Sequence, residues 1–385
     1  MVSFCLLGCS QFNSVINLKR IQLLQDNSQG VDGLNNARLA RFTPDFSQVL
    51  VISADDDSLT TFELDKKLKL TFIEIHQNDD DISGMRGATK FVISADGNRL
   101  FLVSFYDSAL VVFNKNSEGY FQYQQTISDY VKWFTEDGDP LPVPEESDKL
   151  GILGAYDIVM TPDNQQLLVA GSASNSLSIF DLGSQGEITS SQIIRDSQIQ
   201  NYGLKSAVSV NASHDNNYVF VASYEEHAIT VFTRSKTGKL TFNQTLRNNQ
   251  NGIHQMVNPH SLASSTDSQF LYVACDGAVV VFRKVDGEYT FFQTVSNDDE
   301  GISGLSGAVG ITLTPDNKYV FVASEKDGAL VVFSQESSGI LQFVSIIQEP
   351  EIEGASSVIV SPDGEYLLLT AGDEGNSLSL YEITR

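Results

Sequence analysis

A closed ring of seven all-β units is the architecture this sequence predicts. Three observations carry the prediction: one phrase recurs seven times, each copy has the punctuation of short strands, and the last copy stops one strand early. The phrase reads ARLARFTPDFSQVLVISADDDSLTTF in the first copy, AVGITLTPDNKYVFVASEKDGALVVF in the sixth and ASSVIVSPDGEYLLLTAGDEGNSLSLY in the seventh. Its turn aspartates are Asp45, Asp96, Asp163, Asp215, Asp267, Asp316 and Asp363, spaced 51, 67, 52, 52, 49 and 47 residues apart. Units of this length, repeated this often, indicate a propeller or array rather than a string of unrelated domains.

Within a unit the apolar runs are short and rich in Val, Ile and Phe. They are bounded by Pro-Asp, Asp-Gly or Asn-rich turns, the signature of strands. The sixth copy reads as four strands: VGITLT, YVFVAS, ALVVF and LQFVSII. No copy sustains a helical period. Four antiparallel strands per copy give a seven-bladed β-propeller. Where the aspartate follows Thr-Pro or Ser-Pro, proline pre-sets φ and aspartate bonds locally. One tight turn per blade therefore explains the whole series without a catalytic role. The third strand of every copy ends in an aromatic: Phe62, Phe113, Phe180, Phe232, Phe282, Phe333 and Tyr381. A ring in the same place in each copy fills the space between neighbouring sheets.

The seventh copy ends at Arg385, after its third strand. The segment INLKRIQLLQD before the first copy matches the fourth strands elsewhere, such as GKLTFNQTLRN, with Leu18 aligned to Leu240. The N-terminal strand is therefore expected to complete the last blade and remove an exposed edge. That makes residues 16–385 one domain and leaves residues 1–15 as a leader and tether. The long 67-residue spacing contains SDYVKWFTEDGDPLPVPEESDKLG, an insertion at about 130–148 with the only tryptophan, Trp133. Long loops in compact domains are often functional, so Trp133 is a candidate ligand contact. The alternative is a solvated acidic insertion in which Trp133 caps one blade.

Composition bounds the function. The chain has 385 residues, 41% of them hydrophobic, enough for a large core. The formal net charge of -25 repels phosphate backbones and anionic lipids, which argues against nucleic-acid and direct membrane-surface binding. Otherwise the charge serves solubility. No segment reaches the roughly 18 apolar residues of a membrane-spanning helix. Of the three cysteines, Cys5 and Cys9 lie at the extreme N-terminus, so the folded part cannot form an internal disulfide. Cys275, in LYVAC, reads as a small core residue. The five histidines show no close metal-ligand pairing. The stretches QNDDDISG and SNDDEGISG lack EF-hand spacing. No phosphate loop or nucleophile elbow is present. No metal and no cofactor is expected.

The run SPDG-x-YL or TPDN-x-YVFVAS, then ALVVF, then G-x-L-x-F-x-Q resembles the seven-bladed lactonase-like propellers. That family includes bacterial 6-phosphogluconolactonases and muconate-cycloisomerase-type propellers. The resemblance covers roughly residues 16–385 and rests on turn and strand residues, so function must be argued from the site. It implies an enzyme that uses His, Arg and Glu side chains near the mouth of the central channel, with Pro-His in its inner strands. Only the fifth copy has that pair, Pro259-His260 in NPHSLASSTD. Elsewhere the position after the alanine holds Arg38, Thr89, Tyr156, Val208, Val309 and Ser356, and the next position includes Lys90 and Asp157.

Inner strands converge on the ring axis, which would bring Arg38, Lys90, Tyr156, Asp157 and His260 to one cavity. These are the candidate ligand-binding residues, and His260 is the candidate catalytic one. No inner strand offers a glutamate partner, so a small anion such as a carboxylate is expected to bind, gripped by Arg38, without efficient turnover. Alternatively Arg38, Lys90 and Asp157 neutralise one another across a solvated channel.

The first residues, MVSFCLLGCSQ, are uncharged. Leu6 to Ser10 resembles the lipobox of bacterial lipoproteins. Gly8 would permit cleavage and Cys9 would accept diacylglycerol, whose chains supply about 0.8 kcal/mol per buried methylene. Ser10 in place of aspartate implies the outer membrane of a Gram-negative cell. The first basic residue is Lys19, so the positive segment of a signal is expected upstream of Met1. The other reading is an apolar tail on a cytoplasmic protein. The expected function is an exported, lipid-anchored, monomeric propeller that binds a small anion or a protein partner. The alternative is a lactonase-type hydrolase or cycloisomerase.

Overall fold

The computed structural model describes residues 16–79, 81–129, 148–184, 186–198, 202–372 and 375–385. Cys5, Cys9 and Trp133 lie outside the described residues, as does nearly all of the 130–148 insertion. The described chain forms seven four-stranded antiparallel sheets, each in meander order. Their inner strands are Ala37–Phe42, Ala88–Ile93, Ala155–Met160, Ala207–Ala212, Ser261–Ser264, Ala308–Leu313 and Ala355–Val360. We number the blades 1 to 7 in that order. The result is the seven-bladed propeller the repeats predict.

Antiparallel order gives the ring two unlike faces. One carries the turns from inner to second strand, with the seven aspartates. In every blade a Ser or Thr hydroxyl two residues earlier donates to the aspartate at 2.5–2.6 Å: Thr43, Ser94, Thr161, Ser213, Ser265, Thr314 and Ser361. The same carboxylate accepts the backbone N–H two residues later, at 3.0–3.2 Å. The residue after the aspartate has a left-handed backbone, with φ of 56–74° in all seven turns. Five of these positions hold Gly or Asn, which tolerate that conformation. Phe46 is the bulky exception, and its ring stacks on Phe42 at 4.7 Å.

The core is divided among the blade-to-blade interfaces. Each third-strand aromatic is at most 2% exposed and packs against the preceding blade. The N-terminal strand, Asn17–Gln25, pairs with Ser377–Thr384, with Leu18 opposite Ile383 and Leu24 opposite Leu378. It closes blade 7 as the sequence predicts. Ile16 and Leu18 enter the interface with blade 6, and Ile21 and Leu24 the one with blade 1. Arg20 adds an ion pair to Glu349 at 2.6 Å. One strand therefore seals two interfaces.

Candidate functional site

The opposite face, the mouth, is where the copies stop resembling one another. Six inner strands carry a bulge directly after their alanine, where two residues oppose one on the second strand. A bulge re-aims a side chain, and here the extra residues are Arg38, Thr89, Tyr156, Val208, Val309 and Ser356. In blade 5 the ladder starts late: Pro259 has no N–H to give, and His260 donates its own to Ala274 at 2.9 Å. His260 thereby takes the place of the bulged residue. A second ring follows the second strands, at Ala54, Phe105, Ser172, Tyr224, Asp276, Glu325 and Gly372.

The two rings enclose a cavity of about 360 Å³, lined in part by Phe105, Tyr156, Tyr224, His260 and Glu325. A constriction of about 10 Å³ adjoins it, sharing Tyr156 and His260 and lined also by Arg38 and Lys90. Two polar pairs converge here. Glu325 accepts from Arg38 at 3.4 Å, Arg38 lines the constriction together with Tyr156, and the Tyr156 hydroxyl meets His260 Nε2 at 3.3 Å. Four blades, 6, 1, 3 and 5, contribute one residue each. Aromatic edges surround it: Phe105 and His260 each stand edge-on to Tyr156, and Tyr224 to His260, at 5.7–6.3 Å. At the rim, Lys326 pairs with Asp276 at 2.7 Å.

Burial, with Lys90 and Arg38 adding repulsion, pushes His260 down to about 4, so its imidazole is neutral at pH 7. Burial also lowers Lys90, to about 8. Asp157 pulls it back up, and Arg38 and Arg41 push it further down. Tyr156 is raised by burial, with Arg38 opposing and Glu325 reinforcing.

The family model for the seven-bladed β-propeller lactonases matches residues 19–200 and 184–385, which together span the ring. The chain belongs to the seven-bladed lactonase propeller family. Among solved structures of this fold, a putative 6-phosphogluconolactonase from Bacteroides uniformis is 18% identical at a TM-score of 0.64, covering 84% of this chain and 87% of its own. The periplasmic gluconolactonase of Pseudomonas aeruginosa is 16% identical at 0.66, covering 87% and 88%. Hydrazine synthase from Kuenenia stuttgartiensis is 14% identical at 0.64, covering 93% and 98%. Such likenesses carry the fold alone. A search of curated proteins finds no match.

For a lactonase-family member the site differs from the sequence reading in three ways. First, a glutamate reaches the cavity although no inner strand carries one: Glu325 lines it from the turn after a second strand. It is 287 residues from the arginine it pairs with, and the motif SEKDG gives it no local mark. A comparison of the seven residues that follow the second strands would have found it, because five of them line the cavity. Second, Arg38 does not stand alone: its Nη1 pairs with Glu325 at 3.4 Å, which leaves the other guanidinium donors for an anion. Third, Asp157 lines neither the cavity nor the constriction. Its carboxylate accepts the Ser209 hydroxyl and the Val210 N–H, both at 2.9 Å, and so braces blade 3 to blade 4. Arg38, Lys90, Tyr156 and His260 do converge. Cys275 is buried, and burial raises its thiol, as suits a core residue. The carboxylate oxygens of Asp26, Asp32 and Asp56 lie within 4.8 Å of one another, but none of the three lines the cavity.

Proposed function

We propose that the protein hydrolyses a small lactone in the mouth cavity. The observation that carries this is the convergence of two polar pairs, Glu325 with Arg38 and Tyr156 with His260, at the floor of a cavity large enough for one sugar-sized ring. Hydrolysis needs a base to take a proton from the attacking water, a cation where the carbonyl oxygen becomes negative, and an acid to protonate the departing ring oxygen. Glu325 takes the water's proton and delivers it to the ring oxygen as the C–O ester bond breaks. Arg38 stabilises the tetrahedral oxyanion. Neutral His260 and the Tyr156 hydroxyl hold the substrate's polar edge, and the aromatic edges cover its carbon face. Family membership supports the same reaction class.

Binding without turnover was the expectation while His260 lacked a carboxylate partner. Glu325 in the same cavity removes the ground for it. Titrimetric hydrolysis of aldonolactones, corrected for the spontaneous rate, tests the reading. The expected result is a saturable rate that falls at least about tenfold in His260→Ala. A rate no faster than the spontaneous one across the panel would leave the cavity a binding site only.

An envelope location joins this proposal. It rests on the Leu6–Ser10 stretch, and the same fold serves a periplasmic gluconolactonase in Pseudomonas aeruginosa. Labelled palmitate that enters the full-length product but not Cys9→Ser supports it. Absence of label in both overturns the lipid anchor.

A further inference from the structure

On the mouth face six blades reach across to the next with one repeated hydrogen bond. Its donor is the backbone N–H of the residue before the alanine that opens an inner strand, or before Pro259 in blade 5. Its acceptor is a side chain of the preceding blade. Asn376, Asp57, Ser108, Asn175 and Asp276 accept this N–H at 2.7–3.1 Å. In blade 4 the acceptor is His227, whose Nδ1 takes the Asn258 N–H at 3.0 Å. Apart from Asp276, each acceptor is the last residue before a third strand and has a left-handed backbone, with φ of 38–50°. Blade 6 has Gly328 there, with φ of 53°, and offers no side chain. A backbone N–H can only donate, so Nδ1 of His227 is bare and the ring proton sits on Nε2. The segment this bond holds belongs to the cavity: Asn258 lines it, and so does His260 two residues on. Asp276 N–H to Val257 and His260 N–H to Ala274 anchor the same segment within blade 5. Pro259 has no N–H to add. The bond to His227 ties the segment to blade 4.

We infer that His227 is a positioning residue for the mouth site: its bare Nδ1 fixes Asn258 and, through the stiff Pro259, sets where His260 meets Tyr156. Amide, hydroxyl and carboxylate acceptors do the equivalent work in the other five clasps. Among these residue types imidazole is the one that turns from acceptor to donor between pH 5 and 8. The clasp that holds His260 is thus the one of the six that mild acid releases. The charged groups of the elements around it are Glu225 and Glu226 in its own turn, Arg247 on the fourth strand, which pairs with Glu226, His254 in the segment between the blades and Asp276 in the blade 5 turn. All of them persist in a variant at position 227, so a difference in pH profile between variant and wild type belongs to that position.

Nuclear magnetic resonance tests this without catalysis. In the wild type the hydrogen-exchange protection factor of the Asn258 N–H should fall about tenfold or more from pH 7.5 to 5.5, while that of Ser206, clasped by Asn175, stays level. That measurement needs no variant to fold. His227→Gly keeps the left-handed backbone, as Gly328 does, and removes the acceptor. In it the His260 imidazole should titrate about one pH unit or more above its wild-type value of about 4, because a loosened site admits water. His227→Asn, which copies Asn175, should hold His260 at the wild-type value and abolish the pH dependence at Asn258. Lactone kcat/KM is the one arm that rests on the hydrolase reading. It should fall about tenfold in His227→Gly and stay within about threefold of wild type in His227→Asn. Level protection of Asn258 across this pH range, a His260 titration unmoved in His227→Gly, or a His227→Asn protein no better than His227→Gly would each overturn the positioning role. A shifted His260 in a protein that hydrolyses no lactone would keep the role and sink the hydrolase, and an active enzyme whose His260 ignores His227→Gly would do the opposite.

Discussion

The two faces of the ring obey different rules. On the turn face, seven aspartates accept the same hydroxyl and the same backbone amide, in turns with the same left-handed residue. On the mouth face, topologically equal positions hold Arg38, Thr89, Tyr156, Val208, His260, Val309 and Ser356. Repetition marks what every blade needs in order to fold. Its breakdown marks where one blade must differ from the next, and there the cavity lies. The same inner strand serves both purposes at its two ends.

The sharpest way to break this division is to remove the strand that closes the ring. Deleting residues 1–25 exposes the third strand of blade 7 and strips Ile16, Leu18, Ile21 and Leu24 from two interfaces. The expected outcome is loss of a single cooperative unfolding transition, with aggregation in sizing chromatography. An unchanged transition would show that the closure contributes little.

Smaller, and confined to the mouth, is the effect of pH on stability. His260 is held near 4 in the folded protein against about 6.5 in the unfolded chain. As pH falls through that interval the unfolded chain takes up a proton that the folded one refuses, so stability is present above 6.5 and declines toward 4. The loss is at most about 3 kcal/mol, and less to the extent that water still reaches the ring. Chemical denaturation at pH 7 and pH 4.5 should differ less in His260→Gln than in wild type. An identical pH slope in the two would mean that His260 charges freely.

Least of all should a single turn matter. Thr161→Val removes the hydroxyl that bonds Asp163 and should lower stability by about 1 kcal/mol without touching catalysis. Urea titration measures it, and a large fall in activity would erase the contrast between the faces.

This contrast also explains what the sequence made legible. Turn aspartates, third-strand aromatics and the Leu18–Leu240 match are repeated, so comparison within one chain exposes the ring and its closure. Tyr156, Arg38 and Lys90 were within reach because each sits at or next to the bulge that follows a recognisable alanine, and His260 because it follows Pro259 at the equivalent place in the fifth copy. Glu325 was not, because it belongs to the second ring, and its partner Arg38 lies 287 residues away. Nor could spacing reveal that Asp157, next to Tyr156, is spent on Ser209 and Val210 of the adjacent blade. Alternation along a strand says which side chains leave the sheet plane. It does not say which are already satisfied by a neighbour.

Blade 6 offers the most direct test, because its second strand, Tyr319–Ser324, separates Asp316 on the turn face from Glu325 at the mouth. Lactone kcat/KM, measured alongside Tm, should fall about a hundredfold or more in Glu325→Gln with Tm nearly unchanged. Asp316→Asn should instead keep kcat/KM at low temperature and lower Tm by a few degrees. A Glu325→Gln enzyme as active as wild type, or an Asp316→Asn enzyme that folds normally yet has lost its activity, would contradict the assignment of fold to one face and chemistry to the other.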